Sequence, residues 1–167
     1  MINLWRHKSN SAIGLLVSCI IMLLPFTAQA RDAGQVFSTG QTMELDRVAS
    51  AWLIKRYVAP DATFKFYPDG QLIDEGIAFD TPDAKLQRTH RKSTFEEILH
   101  QYKISESKLT ELTKIIHENE INYWAGRNTS QEITLIRQIN HIIKTSESNQ
   151  ICLQRCFAFF DHFIEGR

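Results

Sequence analysis

The chain lacks a net charge: 19 Lys and Arg stand against 19 Asp and Glu. A nucleic-acid binder draws most of its affinity from phosphate neutralisation and carries a basic face, so this balance gives a nucleic-acid partner no footing. No internal repeat and no low-complexity tract occurs, and 167 residues with 43% hydrophobic content fit one domain. Cysteine is scarce, and no two cysteines have the two-residue spacing of familiar oxidoreductases. A long apolar run is missing too. Ala12 to Phe26, broken by Gly14, Ser18 and Pro25, is shorter than the about 20 residues of a membrane-spanning helix.

What that run does match is a secretory signal peptide over residues 1–30. Arg6 and Lys8 precede it, and Ala28-Gln29-Ala30 supplies a small-x-small cleavage site after Ala30. Its removal takes away Arg6, Lys8 and Cys19 but no acid, leaving a net charge of −2 and two cysteines. Export is therefore expected, with membrane contact only through an uncleaved signal segment.

Residues 31–41, polar with Gly and Ser, read as a flexible leader, and 42–167 as the folded domain. Thr42 is a plausible N-cap for a first helix whose stripe is Leu45, Val48, Ala49, Trp52 and Leu53, with Pro60 as its stop. Phe64-Lys65-Phe66-Tyr67, ended by Pro68-Asp69-Gly70, and Ile77-Ala78-Phe79-Asp80 suggest two short strands. Ser93-x-x-Glu96 forms a capping box ahead of Phe95, Ile98, Leu99 and Tyr102. Ser105 can cap a third helix running to about Glu120, with Gly126 beyond it. Thr129-x-x-Glu132 opens a fourth. A fifth begins near Ser148 and turns Cys152, Leu153, Cys156, Phe157, Phe160, Phe163 and Ile164 inward. The expected fold is mainly α with a small β element (α+β), about five helices around one core plus a short two-stranded sheet.

Polar chemistry concentrates between Phe79 and Glu97. Arg47, His90, Arg91, Lys92, Ser93 and Thr94 offer guanidinium, ammonium, imidazole, hydroxyl and backbone N–H donors at a helix start, a set suited to a small oxyanion. The bland alternative is a solvated basic loop. His90, Glu96 and His117, with Asp80 or Glu120, could instead hold a divalent metal such as zinc, manganese or iron. Against this, Glu96 has a capping duty and His117 sits beside its helix's apolar stripe. Cys152 and Cys156 read first as buried core residues. In an oxidising compartment they could form a disulfide if the helix begins loosely at Cys152. Trp52 and Trp124 read as core or groove packing.

The blocks Asp46-Arg47, Ser50-Ala51-Trp52-Leu53-Ile54-Lys55-Arg56-Tyr57, Pro60-x-Ala62-x-Phe64-x-Phe66, Phe79-Asp80-x-Pro82, Thr89-His90-Arg91 and Thr94-Phe95-Glu96 resemble, in this order, the C-terminal domain of the ChrB chromate-resistance family. The resemblance runs from about Leu45 to Ile164, including Phe159-Phe160-Asp161. It implies a bacterial protein with a role in chromate resistance or its sensing. Longer members of that family carry an N-terminal regulatory domain. A signal-like segment stands at that end here, so transcriptional regulation is not expected. The combined expectation is a periplasmic or secreted domain that binds a chromate-like oxyanion, or a metal linked to the chromate response. A metal-dependent enzyme using His90, Glu96 and His117, and an interaction module with no small ligand, are the alternatives.

Overall fold

A computed structural model describes residues 34–122, 124 and 129–166. The signal segment with its Ala28-Gln29-Ala30 site, Cys19 and Gly126 lie outside the described residues.

The leader expected over residues 31–41 is contradicted where it matters most. Val36–Gly40 is strand β1, the middle of a three-stranded parallel sheet, with β2 (Thr63–Tyr67) on one side and β3 (Ile77–Ala78) on the other. The two strands read from sequence are real but do not pair with each other. Both pair with β1: Phe37 stands opposite Phe64 on one side and Ile77 on the other. A central strand needs no amphipathic alternation, because both of its edges and faces are covered. Phe37, Ser38 and Thr39 are accordingly all buried. Gly76, at φ +82, makes the approach to β3 feasible: a Cβ there would come within 2.6 Å of the Val36 carbonyl oxygen.

Helix α1 (Leu45–Leu53) links β1 to β2 and is buried along its whole length. Its N-cap is Glu44 rather than Thr42, whose hydroxyl is committed to Asp69 across the loop. The helix continues as a π-helical turn, Ile54–Val58, and stops short of Pro60. Helix α2 (Thr94–Gln101) opens on the Ser93/Glu96 capping box. A 3₁₀ turn at Ser107–Leu109 leads into α3 (Thr110–Glu120), so Ser105 caps nothing. The Thr129/Glu132 box opens α4 (Ser130–Thr145), and Ser148 caps α5 (Asn149–Glu165).

The core forms where α1 packs on α5 and α2, with α4 against α5. Trp52 is its largest fully buried side chain, with ring centroids 5.6 Å from Phe160 and 5.7 Å from Tyr57. Its indole N–H donates to Asp161 at 2.8 Å, and Arg56 grips the same carboxylate through two nitrogens at 2.9 and 2.6 Å. One acid thus satisfies a buried donor and pins α5 to the end of α1. Gln150 and Asn149 then tie the start of α5 to the Phe64 and Gln41 carbonyls. Trp124, unlike Trp52, is exposed.

Candidate functional site

All three strands run parallel, so their carboxyl ends emerge on one side. The loops that follow diverge there, because β1 connects toward β2 and the chain then crosses back to β3 on the opposite edge. A crevice outside carboxyl strand ends at such a reversal is where open parallel sheets bind ligands. Here it is a pocket of about 340 Å³, lined by Gly40, Tyr67 and Ala78 from the three strand ends. Arg47 forms part of its wall, with Asp69, Thr81 and Asp83 from the following loops.

Arg47 joins this pocket to a buried polar network. The first turn of α1 aims it back at the strand ends: Nη1 donates to the Thr42 carbonyl and Nη2 to the Asp80 carbonyl at 2.6 Å. Nε lies 2.9 Å from Asp80 Oδ2 without hydrogen-bond alignment, so that contact is ionic. Asp80 takes a left-handed backbone (φ 52), tolerable for aspartate, which turns its side chain inward. The Thr94 hydroxyl donates to its Oδ1 at 2.6 Å.

Asp46, one position before Arg47 in α1, faces α2. Its Oδ2 accepts from the Thr94 backbone N–H at 2.7 Å and its Oδ1 from the Phe95 N–H at 2.9 Å, with the Ser50 hydroxyl at 3.3 Å. The carboxylate therefore occupies the anion position that the α2 N-terminus creates. Burial raises Asp46 to about 7, helped by the Asp80 charge and opposed by the two backbone donors. Burial likewise raises Asp80 to about 6, against the opposing pull of Arg47 and Thr94. Glu120, at the tail of α3, is also raised by burial, against its contacts with Asn119 and Arg88. Asp69, at the pocket, is instead lowered by the Thr42 hydroxyl.

The residues expected to bind an anion thus divide. Arg47, Ser93 and Thr94 are buried and their polar groups face protein carboxylates: Arg47 and Thr94 face Asp80, and Ser93 donates to Glu96. The α2 N-terminus is no receptor for an outside ion, because Asp46 already fills it. His90 and Arg91 are exposed, and Lys92 reaches Glu97 at 3.5 Å. The residues expected to bind a metal divide too. Glu96 and His117 meet at 2.9 Å, while Asp80 belongs to Arg47 and Arg88 holds Glu120 at 3.0 Å. Among the described residues no three His, Cys, Asp or Glu side chains gather as metal ligands. Cys152 and Cys156 are free thiols, not a disulfide. The helix there is firmly begun, with Cys152 N–H bonded to the Ser148 carbonyl at 2.8 Å.

Sequence reading missed Asp46 as the cap of another helix, and Tyr67 and Asp69 as pocket residues. Asp69 carried a signal only as a turn residue between Pro68 and Gly70. The 48 positions between Asp46 and Thr94 put their contact beyond any local pattern.

An α+β domain with a carboxyl-end crevice and a buried Arg–Asp network is the class this fold and site define. Residues 37–166 match the family model described as ChrB, C-terminal domain, and the chain belongs to that family. Protein ChrB of Cupriavidus metallidurans (strain CH34) is 32% identical over 120 residues, covering 68% of this chain and 37% of that protein. The chain thus matches well under half the length of this curated relative. No solved structure matches it.

Proposed function

We propose that the chain is a chromate-resistance-related binding domain that holds a small oxyanion in the crevice at the strand ends, anchored on Arg47. The observation that carries this reading is the position of Arg47. It is an always-charged donor, held on two backbone carbonyls, in the wall of the pocket where all three strands end. Burial raises its partner Asp80 to about 6, so the guanidinium charge becomes available to a ligand as the pH falls through that value. Asp69 is engaged by Thr42, and Asp83 is exposed. Family membership supplies the chromate connection. The exposed His90 and Arg91 contribute at most a diffuse attractive field.

Titration calorimetry of the mature protein with chromate and with sulfate tests this. Saturable binding is expected, and Thr81→Trp, which fills the pocket walled in part by Arg47, should abolish it. Unchanged affinity in Thr81→Trp would move the site elsewhere, and no heat with either anion would leave the interaction module as the better reading.

The reading includes export through residues 1–30. Cleavage after Ala30 would spare every described element, since β1 begins at Val36. Intact-mass measurement of the protein recovered from the periplasm decides it: a mature N-terminus at Arg31 is expected.

A further inference from the structure

We propose that Cys152 and Cys156 form a dithiol site for a soft, two-coordinate thiophilic cation of the monovalent-copper class. The site is independent of the crevice. Both cysteines lie one turn apart on the same buried face of α5, 2% and 0% exposed, and both are free. The Ser148 cap keeps the helix regular through them: its hydroxyl accepts from the Ile151 N–H at 3.3 Å and its carbonyl from the Cys152 N–H at 2.8 Å.

Regular geometry decides what the pair can do. Side chains four apart on a helix have Cβ atoms about 5–6 Å apart. A disulfide needs about 3.5–4.5 Å, so an S–S bond would have to distort a well-capped helix. A bridging metal inserts a second bond. With metal–thiolate bonds of about 2.3 Å, an S–M–S unit spans up to about 4.6 Å between sulfurs and suits the wider spacing. The donor count then selects the ion. Zinc fills a structural site with four protein ligands, yet among the described residues no third His, Cys, Asp or Glu joins this pair. Two thiolates alone match a soft d¹⁰ ion that accepts digonal coordination.

A cation stands beside the pair. The Arg155 charge acts on both thiols, and its Nη1 donates to Thr145 Oγ1 and Ser146 Oγ at 3.1 Å each, clasping the turn between α4 and α5. Binding is a ligand exchange without electron transfer. Each thiol gives up its proton, two M–S bonds form, and the resulting bis-thiolate of a monovalent ion carries one negative charge beside Arg155.

The test uses the reduced full-length chain under anaerobic conditions, titrated with Cu(I) against the colorimetric chelator bathocuproine disulfonate. One Cu(I) per chain is expected, with two protons released per ion in a pH-stat and an absorption-edge spectrum showing two sulfur neighbours. Cys152→Ala and Cys156→Ala should each lose the bound ion while keeping helical circular dichroism; Cys19→Ser should keep it. No uptake by the wild type, no proton release, or a retained equivalent in Cys152→Ala would overturn the site. The wild-type proton count and spectrum stand even if a variant fails to fold.

Discussion

Asp46 caps a helix that is not its own. Its carboxylate oxygens sit 2.7 Å from the Thr94 N–H and 2.9 Å from the Phe95 N–H, so an acid in the first turn of α1 closes the start of α2. Two helix N-termini thereby share one buried charge, and Arg47 beside it turns the opposite way to meet Asp80. The arrangement explains why α1 and α2 pack so closely and why Ser93 and Thr94 are buried despite their polarity.

Asp46→Ala should destabilise the fold by about 2–4 kcal/mol, because two buried backbone donors lose their acceptor together. Urea denaturation at fixed pH measures it. A loss under about 0.5 kcal/mol would mean that water replaces the carboxylate without penalty.

Stability should also depend on pH in a defined direction. Asp46 and Asp80 titrate in the folded protein at about 7 and about 6, above the ordinary value near 3.9. The native state therefore holds more protons than the unfolded chain between about pH 4 and 7, and stability falls as pH rises through that window. The slope is up to about 1.4 kcal/mol per pH unit for each carboxyl. Asp46→Asn should flatten the decline between pH 6 and 7, which denaturation at pH 5, 6, 7 and 8 will reveal.

The Arg47–Asp80 pair makes a double-mutant cycle informative. Removing the guanidinium alone (Arg47→Met) leaves a buried carboxylate without its cation, a loss of about 3–5 kcal/mol. Arg47→Met combined with Asp80→Asn removes both charges and should recover more than about 1 kcal/mol of that loss. Strict additivity of the two single changes would show that the ionic contact contributes nothing.

The helical half of this fold was legible because its signals are local. Ser93/Glu96 and Thr129/Glu132 form both halves of their capping boxes within three residues, and Ser148 caps α5 by the same short reach. Strand β1 was not legible. Val36-Phe37-Ser38-Thr39-Gly40 holds strand-favouring Val, Phe and Thr, but it is short, ends in Gly and sits in a polar leader, and it becomes a strand through partners 27 and 40 positions along the chain. The site was legible in part. Arg47, Asp80 and Thr94 were read as chemistry, but what each contacts depends on the sheet crossover, which no window of the sequence contains.

Truncation separates a leader from a strand. Removing residues 1–33 should leave the cooperative unfolding transition intact. Removing 1–41 takes away the strand that pairs with both others and should abolish it. Phe37→Ala in the full chain should cost about 3–5 kcal/mol, as for a fully buried ring. A cooperative transition after the longer deletion would refute the central place of β1.

Gly40 gives access to the crevice at the point where the pocket meets the buried network. An added Cβ would meet Asp69 Oδ1 at 2.6 Å and Arg47 Nη1 at 3.3 Å. The Asp69 carboxylate is a side-chain tip and can swing away, so Gly40→Ala should change stability by less than about 1.5 kcal/mol. It should nonetheless displace both pocket walls and weaken anion binding at least about tenfold, a difference of about 1.4 kcal/mol in calorimetry.

Anion binding and the Asp80 proton should be linked. Above about pH 6 the Asp80 carboxylate is ionised and offsets the Arg47 charge; below it, protonation leaves the guanidinium uncompensated at the pocket wall. Affinity for sulfate, which keeps its charge across this range, should therefore rise as pH falls from 8 to 5, with the steepest change near pH 6. By reciprocity, bound sulfate favours the protonated carboxyl, so binding at pH 7 takes up a fraction of a proton. Asp80→Asn should remove both the pH dependence and the proton uptake while leaving binding in place. If sulfate binds equally well at pH 5 and pH 8 in the wild type, the Arg47–Asp80 pair does not govern ligand charge in the crevice, and the anchor must be sought among the exposed cations of the loop before α2.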